Sequence, residues 1–198
     1  MMKYFPLFIL VFIFQFVSCA QESIPDREDQ IAAATAAAPV EDREGAKVYG
    51  YDTKGNLVVL EEGTNNMVCI SDDPNRPGFQ TVCYHKDLEP FMSRGRALRA
   101  EGKSSQEIFD IREKEAKEGV LKMPEQPTTL HLLEGKEAFY DKESHEVKQA
   151  NYRYVVYIPW ATAESTGLPL KPLVAGGPWI MDPGTHRAHI MITPPPQN

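Results

Sequence analysis

The first nineteen residues set the conditions under which the rest of the chain must fold. Met1 to Val17 carries one charge, Lys3, followed by an almost unbroken apolar run from Tyr4 to Val17 that holds five of the nine phenylalanines. A basic start and a short apolar core read as a secretory signal. The run is shorter than the roughly 20 apolar residues a membrane-spanning helix needs. Two endings compete. Ser18-Cys19-Ala20 offers small residues where signal peptidase reads, with cleavage before Gln21. Phe16-Val17-Ser18-Cys19 looks like a lipobox, although an aliphatic residue is usual where Phe16 stands. The favoured expectation is a signal peptide over residues 1–19, lipidation of Cys19, and a protein held at a bacterial membrane by lipid, in the periplasm or at the cell surface.

Export then governs the other two cysteines, Cys69 and Cys83. An even pair in an oxidising compartment is most simply a disulfide. The loop it closes, about 15 residues, is worth about 3 kcal/mol in the chain-entropy picture. A zinc thiolate pair or a redox pair would call for a C-x-x-C arrangement, which is absent.

Residues 20–44 are acidic at both ends, with an alanine tract from Ile31 to Ala38 and no aromatic residue. They read as a disordered tether, which fully extended would reach about 80 Å. Residues 45–198 then form one domain, long enough to bury about 70% of its unfolded surface. Charge supports a folded body outside the nucleic-acid class: 21 Lys plus Arg face 28 Asp plus Glu, a net −7.

The body alternates strand and helix signals. Lys47 to Asp52 and Leu57 to Leu60 flank Asp52-Thr53-Lys54-Gly55-Asn56, a hairpin with its turn. Asn66 to Ile70 is a third strand, and Ser71 to Gly78 is a solvated loop in which Asp72 and Asp73 are too few for a calcium loop. A helix follows Asp87, with Leu88, Phe91, Met92 and Leu98 on one face and Gly102 at its end. Ser104-Ser105-Gln106-Glu107 is a capping box for a second helix, with Ile108, Ile111 and Glu115 in line. This pair resembles a helix-turn-helix, but Lys86 to Glu118 holds eight basic and eight acidic residues. That neutrality, with export, predicts a plain helical hairpin and no nucleic-acid partner. Thr128 to Leu133, Tyr152 to Trp160 and His186 to Thr193 read as strands, Gly135 to Lys148 as a polar hairpin or loop, and Ala161 to Pro178 as irregular. The expected fold is α+β, a mainly antiparallel sheet with one inserted helical hairpin.

Catalytic motifs are missing: no G-x-S-x-G, H-E-x-x-H, P-loop, G-x-G-x-x-G or C-x-x-C-H occurs. Trp160 and Trp179 flank the Pro-rich segment, with Asp182 and His186 beside it. Aromatic residues on a stiff loop suit a peptide, a glycan or another envelope protein, so these four residues are the expected ligand-binding set, without a cofactor. The alternative is a zinc-dependent envelope hydrolase with His85, His131 and His189 as ligands and Asp182 or Glu164 as an oxygen donor. A purely structural envelope role is the third reading. The basic cluster Arg94, Arg96, Arg99 and Lys103 reads as a solvated helix face that anionic lipid or polysaccharide would meet.

Two stretches carry a resemblance. Cys83-Tyr84-His85-Lys86-Asp87-Leu88-Glu89-Pro90-Phe91-Met92 with Arg94-Gly95-Arg96 is one. Gly177-Pro178-Trp179, Met181-Asp182-Pro183-Gly184-Thr185 and His189-Ile190-Met191 form the other. Together they resemble a group of uncharacterised exported bacterial proteins, putting the chain among lipoproteins without assigned activity.

Overall fold

Val, Ile, Tyr and Thr dominate the segments that extend, because branched and aromatic side chains pack well on a pleated surface. In chain order the strands are β1 (Lys47–Tyr51), β2 (Leu57–Glu61), β3 (Met67–Ile70), β4 (Phe79–His85), β5 (Thr128–Gly135), β6 (Phe139–Asp141), β7 (Glu146–Lys148), β8 (Asn151–Tyr157), β9 (Trp179–Met181) and β10 (His189–Ile192). The helices are α1 (Arg27–Thr35), α2 (Val40–Arg43), α3 (Glu89–Ala100), α4 (Ser105–Lys117) and α5 (Ala163–Thr166). This computed structural model describes residues 24–195. The signal-peptide reading and the lipidation of Cys19 lie outside them. Among the described residues no helix is long and apolar enough to cross a membrane.

Eight strands form one sheet in the order β2-β1-β3-β4-β5-β8-β10-β9, while β6 and β7 make a separate hairpin. Every pairing is antiparallel except β1 with β3. The fold is therefore the expected α+β, with α3 and α4 inserted between β4 and β5. Successive side chains point to opposite faces, so each strand feeds two cores. One core gathers Val68, Tyr84, Leu130, Val155, Tyr157 and Met191 under Leu88, Phe91 and Leu121 from the helical side. The other gathers Val48, Met67, Cys69 and Cys83 under Ala34, Ala37 and Ala38.

The second core corrects the expected tether. Residues 24–44 are not a disordered linker; α1 is laid on the sheet. Gln30, Ala33, Ala34, Ala37 and Ala38 are all buried, and their spacing marks one helix face. The alanines carry little apolar surface, which hides the stripe in the sequence. Their small size is what lets the helix sit close: Ala34 O lies 3.2 Å from Cys83 Sγ, a contact without a proton, since a disulfide sulfur has none to donate. Gly50 completes the approach, because a Cβ there would stand 2.4 Å from Leu60 and 2.6 Å from the Gln30 amide. That amide docks α1 on β1, accepting from Tyr51 N at 2.8 Å and donating to Tyr51 O at 3.0 Å.

Cys69 and Cys83 face each other across β3 and β4 and are joined as a disulfide. The strand β4 is not apparent in the sequence. Its burial alternates, but polar Thr81 lies on the buried face and apolar Val82 on the half-buried one, so the alternation does not show in the hydropathy. The helical pair forms as its caps dictate. Ser104 Oγ and the Glu107 carboxylate cap α4 reciprocally. Lys103 N donates to Leu98 O and Gly102 N to Arg99 O, closing α3. The Arg94 guanidinium grips the Glu115 carboxylate at 2.7–3.1 Å and clips the two helices together.

Candidate functional site

Three of the expected ligand-binding residues do come together. Trp160 N donates to Thr185 O at 2.8 Å, and Gly184 N to Ala161 O at 2.7 Å, lacing Trp160 to the turn that carries Asp182 and His186. Each is then engaged within the protein. Asp182 accepts from Arg187 Nε at 2.7 Å. His186 is fully buried, its Nδ1–H donating to Glu113 Oε2 at 2.5 Å and its Nε2 enclosed without a partner. Trp160, 40% exposed, adopts φ +67° with the Lys117 ammonium 6.0 Å from its ring. Trp179 lies apart on β9, packed against the first core. The shallow cavity of about 500 Å³ at Trp160 is lined by apolar and proline residues with Glu125 and Gln126. His186 sits in a turn ahead of β10, not in the strand expected from 186 to 193.

The expected zinc ligands are not brought together. His131 faces the α1 side of the sheet, where its Nδ1 meets Tyr152 Oη at 2.8 Å. That hydroxyl spends its one hydrogen on Ala37 O, so the imidazole is the donor. His189 stands on the opposite face against the Tyr157 ring, its Nδ1–H donating to Arg187 O at 2.7 Å. His85 caps the turn before α3, accepting from Asp87 N. Glu164 lies exposed on α5. Among the described residues no group of three or more His, Cys, Asp or Glu could hold a metal. One face of a sheet cannot share a ligand with the other, which is why strand parity separates His131 from His189.

The buried imidazoles give the fold a pH dependence. Burial lowers the pKa of His131, His186 and His189, against weaker raising contributions from Asp42, Glu113 and the Arg187 carbonyl respectively. Below about pH 6.5 the unfolded chain binds protons that these folded sites refuse, so stability falls as pH drops. Asp72 opposes this as a single group, since burial pushes it up to about 6 and the folded state then gains a proton. Three groups against one predict that the urea midpoint declines steadily from about pH 7.5 to about pH 5. A flat midpoint over that range would refute it.

A cavity of about 860 Å³ lies elsewhere, on the α3 side of the sheet. Its floor is Ile70, Val82, Leu130 and Leu132, its wall Phe91 and Met92 from α3. Five arginines reach it: Arg76, Arg96, Arg99, Arg112 and Arg187. Two are paired with carboxylates. Arg96 is bound to Glu89 at 2.6 Å and Tyr84 at 2.9 Å, and Arg187 to Asp182. Arg94, by contrast, is turned to Glu115, and Lys103 stands 3.9 Å from Glu107.

Arg112 is the anomaly. It is 8% exposed, on the buried stripe of α4 one turn after Ile108. Its guanidinium lies 3.9 Å over the Phe91 ring and donates from Nη1 to Phe91 O at 3.2 Å. Its Nε is buried with no partner, and among the described residues no carboxylate pairs with it. Burial pulls the guanidinium down to about 10, and the cations of Arg187 and Arg99 add to this, against Tyr157 and Glu115. It stays charged at neutral pH. The chain makes room for it: a Cβ on Gly95 of α3 would stand 2.8 Å from Nη1.

The opposite end of the groove carries carboxylates, with Arg76 and Lys136 also lining it. Asp72 and Asp73, expected in a solvated turn, line it beside Tyr51. Asp72 accepts from Gln80 N at 2.8 Å. Burial, with both carboxylates nearby, pushes the Tyr51 phenol up to about 12. Sequence reasoning passed over this site because it joins three separated segments. One signal was present: an arginine at a position where the apolar stripe of α4 calls for a hydrophobic side chain. No protein-family model matches the chain, and no curated protein or solved structure matches it either.

Proposed function

We propose that the chain is an exported bacterial envelope protein, held at the membrane by lipid on Cys19, that binds an organic anion with an apolar body in the groove between the sheet and α3. The N-terminal apolar run behind Lys3 and the Cys69–Cys83 disulfide support export. Since the folded body starts by Arg27, an anchor at Cys19 would leave few free residues. From Cys19 to Ile24 the chain reaches at most about 18 Å, so the groove would work close to the bilayer.

The observation that carries the binding reading is Arg112. A buried cation without a counter-charge costs several kcal/mol of desolvation. Such a breach of the burial rule is the mark of a site that a ligand completes. The apolar floor beneath it gives the rest of the ligand a dry surface, within the usual volume range of small-molecule sites. The groove takes the place of the Pro-rich loop as the binding surface, because His186 is fully buried and Asp182 is already bound to Arg187.

The test is Arg112→Met, with decanoate as the probe, displacing an anionic naphthalene-sulfonate dye from the full chain. We expect affinity to fall about a hundredfold, as for removal of one half of a buried charge pair. Thermal stability should hold or rise, because the variant also loses the desolvation penalty. Arg112→Lys keeps the charge but not the planar fork and should lie between. Unchanged decanoate affinity in Arg112→Met would overturn the reading.

A further inference from the structure

The groove is bipolar, and this narrows the ligand further than one anionic group does. At the α4 end, Arg112 is joined by Arg99 and Arg187, whose charges act on it. At the other end, the adjacent carboxylates of Asp72 and Asp73 stand beside the Tyr51 phenol. Arg76 is near them, but its hydrogen bond goes to Gln80 at 3.3 Å, and neither carboxylate is ion-paired to it among the described residues. Between the two ends the floor is apolar, chiefly Ile70, Val82 and Leu132, with Arg96 on the α3 wall already held by Glu89.

Resting on the binding reading above, we infer that the ligand is a short apolar peptide with both ends free. Its C-terminal carboxylate meets Arg112 and its N-terminal ammonium meets Asp72 and Asp73. The register sets the length. Along β5 the side chains that line the groove run from Leu130 to Glu134, four residue steps, or about 13 Å. An extended peptide spans about 3.3–3.6 Å per residue, so three to four residues fit between the charged ends. A carboxylate is planar and accepts two donors side by side, the geometry a guanidinium offers. The part of Arg112 that lines the groove supplies the donors for it, while its Nε stays enclosed. At the far end, a compact ammonium with three donors suits two neighbouring carboxylates. A fatty acid would satisfy the arginine end and leave the acidic end unused, and a dianion would be repelled there.

Isothermal titration of the full chain with four probes separates these cases: trileucine, N-acetyl-trileucine, trileucine amide and decanoate. We expect trileucine to bind best. Acetylation should weaken it about tenfold and amidation about a hundredfold, in line with the loss of charge-assisted bonds at each end. In the double variant Asp72→Asn, Asp73→Asn, free and acetylated trileucine should bind alike, while the amide remains the weak ligand. Near-ultraviolet circular dichroism of that variant checks that the fold is kept. Should acetylated trileucine or decanoate bind as tightly as free trileucine, the peptide inference falls and the anion reading stands. Should the amide bind as tightly as the free acid, or none of the four bind, the anion reading falls as well.

Discussion

A chain beginning at Gly45 will lose on the order of 5 kcal/mol of stability and will melt without a sharp transition. That is most of what a domain of this size possesses. Removing residues 1–44 takes away α1 and uncovers one whole face of the sheet. Val48, Met67, Cys69 and Cys83, all buried, would then meet water. Each buried methylene-sized group is worth about 0.8 kcal/mol, and the face presents several from both partners. Polar bonds go with them. Tyr51 N loses the Gln30 amide, Tyr152 Oη loses Ala37 O at 2.7 Å, and Leu60 O loses the Arg27 guanidinium. Urea denaturation of the two chains is the measurement, and equal midpoints would show that the segment is a passenger. Ala34→Leu is the gentler version. Ala34 has no free surface, and overpacking a filled site costs about 1–3 kcal/mol.

What the sequence shows follows how each element advertises itself. The hairpin of β1 and β2, the capping box of α4 and the strand β8 carry their own local chemistry, so they are legible without the rest. Asp52 accepts from Lys54 N and Asn56 N at 2.9 Å as a turn residue should. The elements that stay hidden depend on what they pack against. The stripe of α1 is alanine, which composition reads as a neutral spacer until a sheet lies under it. The strand β4 puts Thr81 on its buried face and Val82 on its half-buried one, so its hydropathy shows no alternation. The groove is hidden by the second of these: Asp72, Gln80 and Val82 flank or lie on β4, and without that strand nothing connects Asp72 to Arg112. The tryptophans drew attention by their chemistry, but a neighbour in sequence, Pro or Gly, does not reveal whether an indole ends on the surface or on the core.

Replacing the disulfide by Cys69→Ala with Cys83→Ala should cost about 3 kcal/mol, the chain-entropy value for a closed loop of this length. For a domain of this size that corresponds to about 6–12 °C in Tm. The loss has a second, spatial part. The bond joins paired residues within β3 and β4, and the loop it closes carries Ser71 to Gly78, including Asp72 and Asp73. Opening it frees the acidic end of the groove while Arg112, on α4, keeps its seat against Phe91 and Gly95. The alanine pair should therefore lose its preference for free over acetylated trileucine and keep its preference for the free acid over the amide. Access supplies an independent check. Both sulfurs are wholly buried beneath α1, so dithiothreitol reaches them only when that helix lifts. Thiol exchange needs direct approach to a sulfur. Reduction should be slow in the intact chain and rapid in the one beginning at Gly45. Equal rates in both, or a Tm that does not move when the cysteines are removed, would mean that the bond neither pins the loop nor lies under the helix in solution.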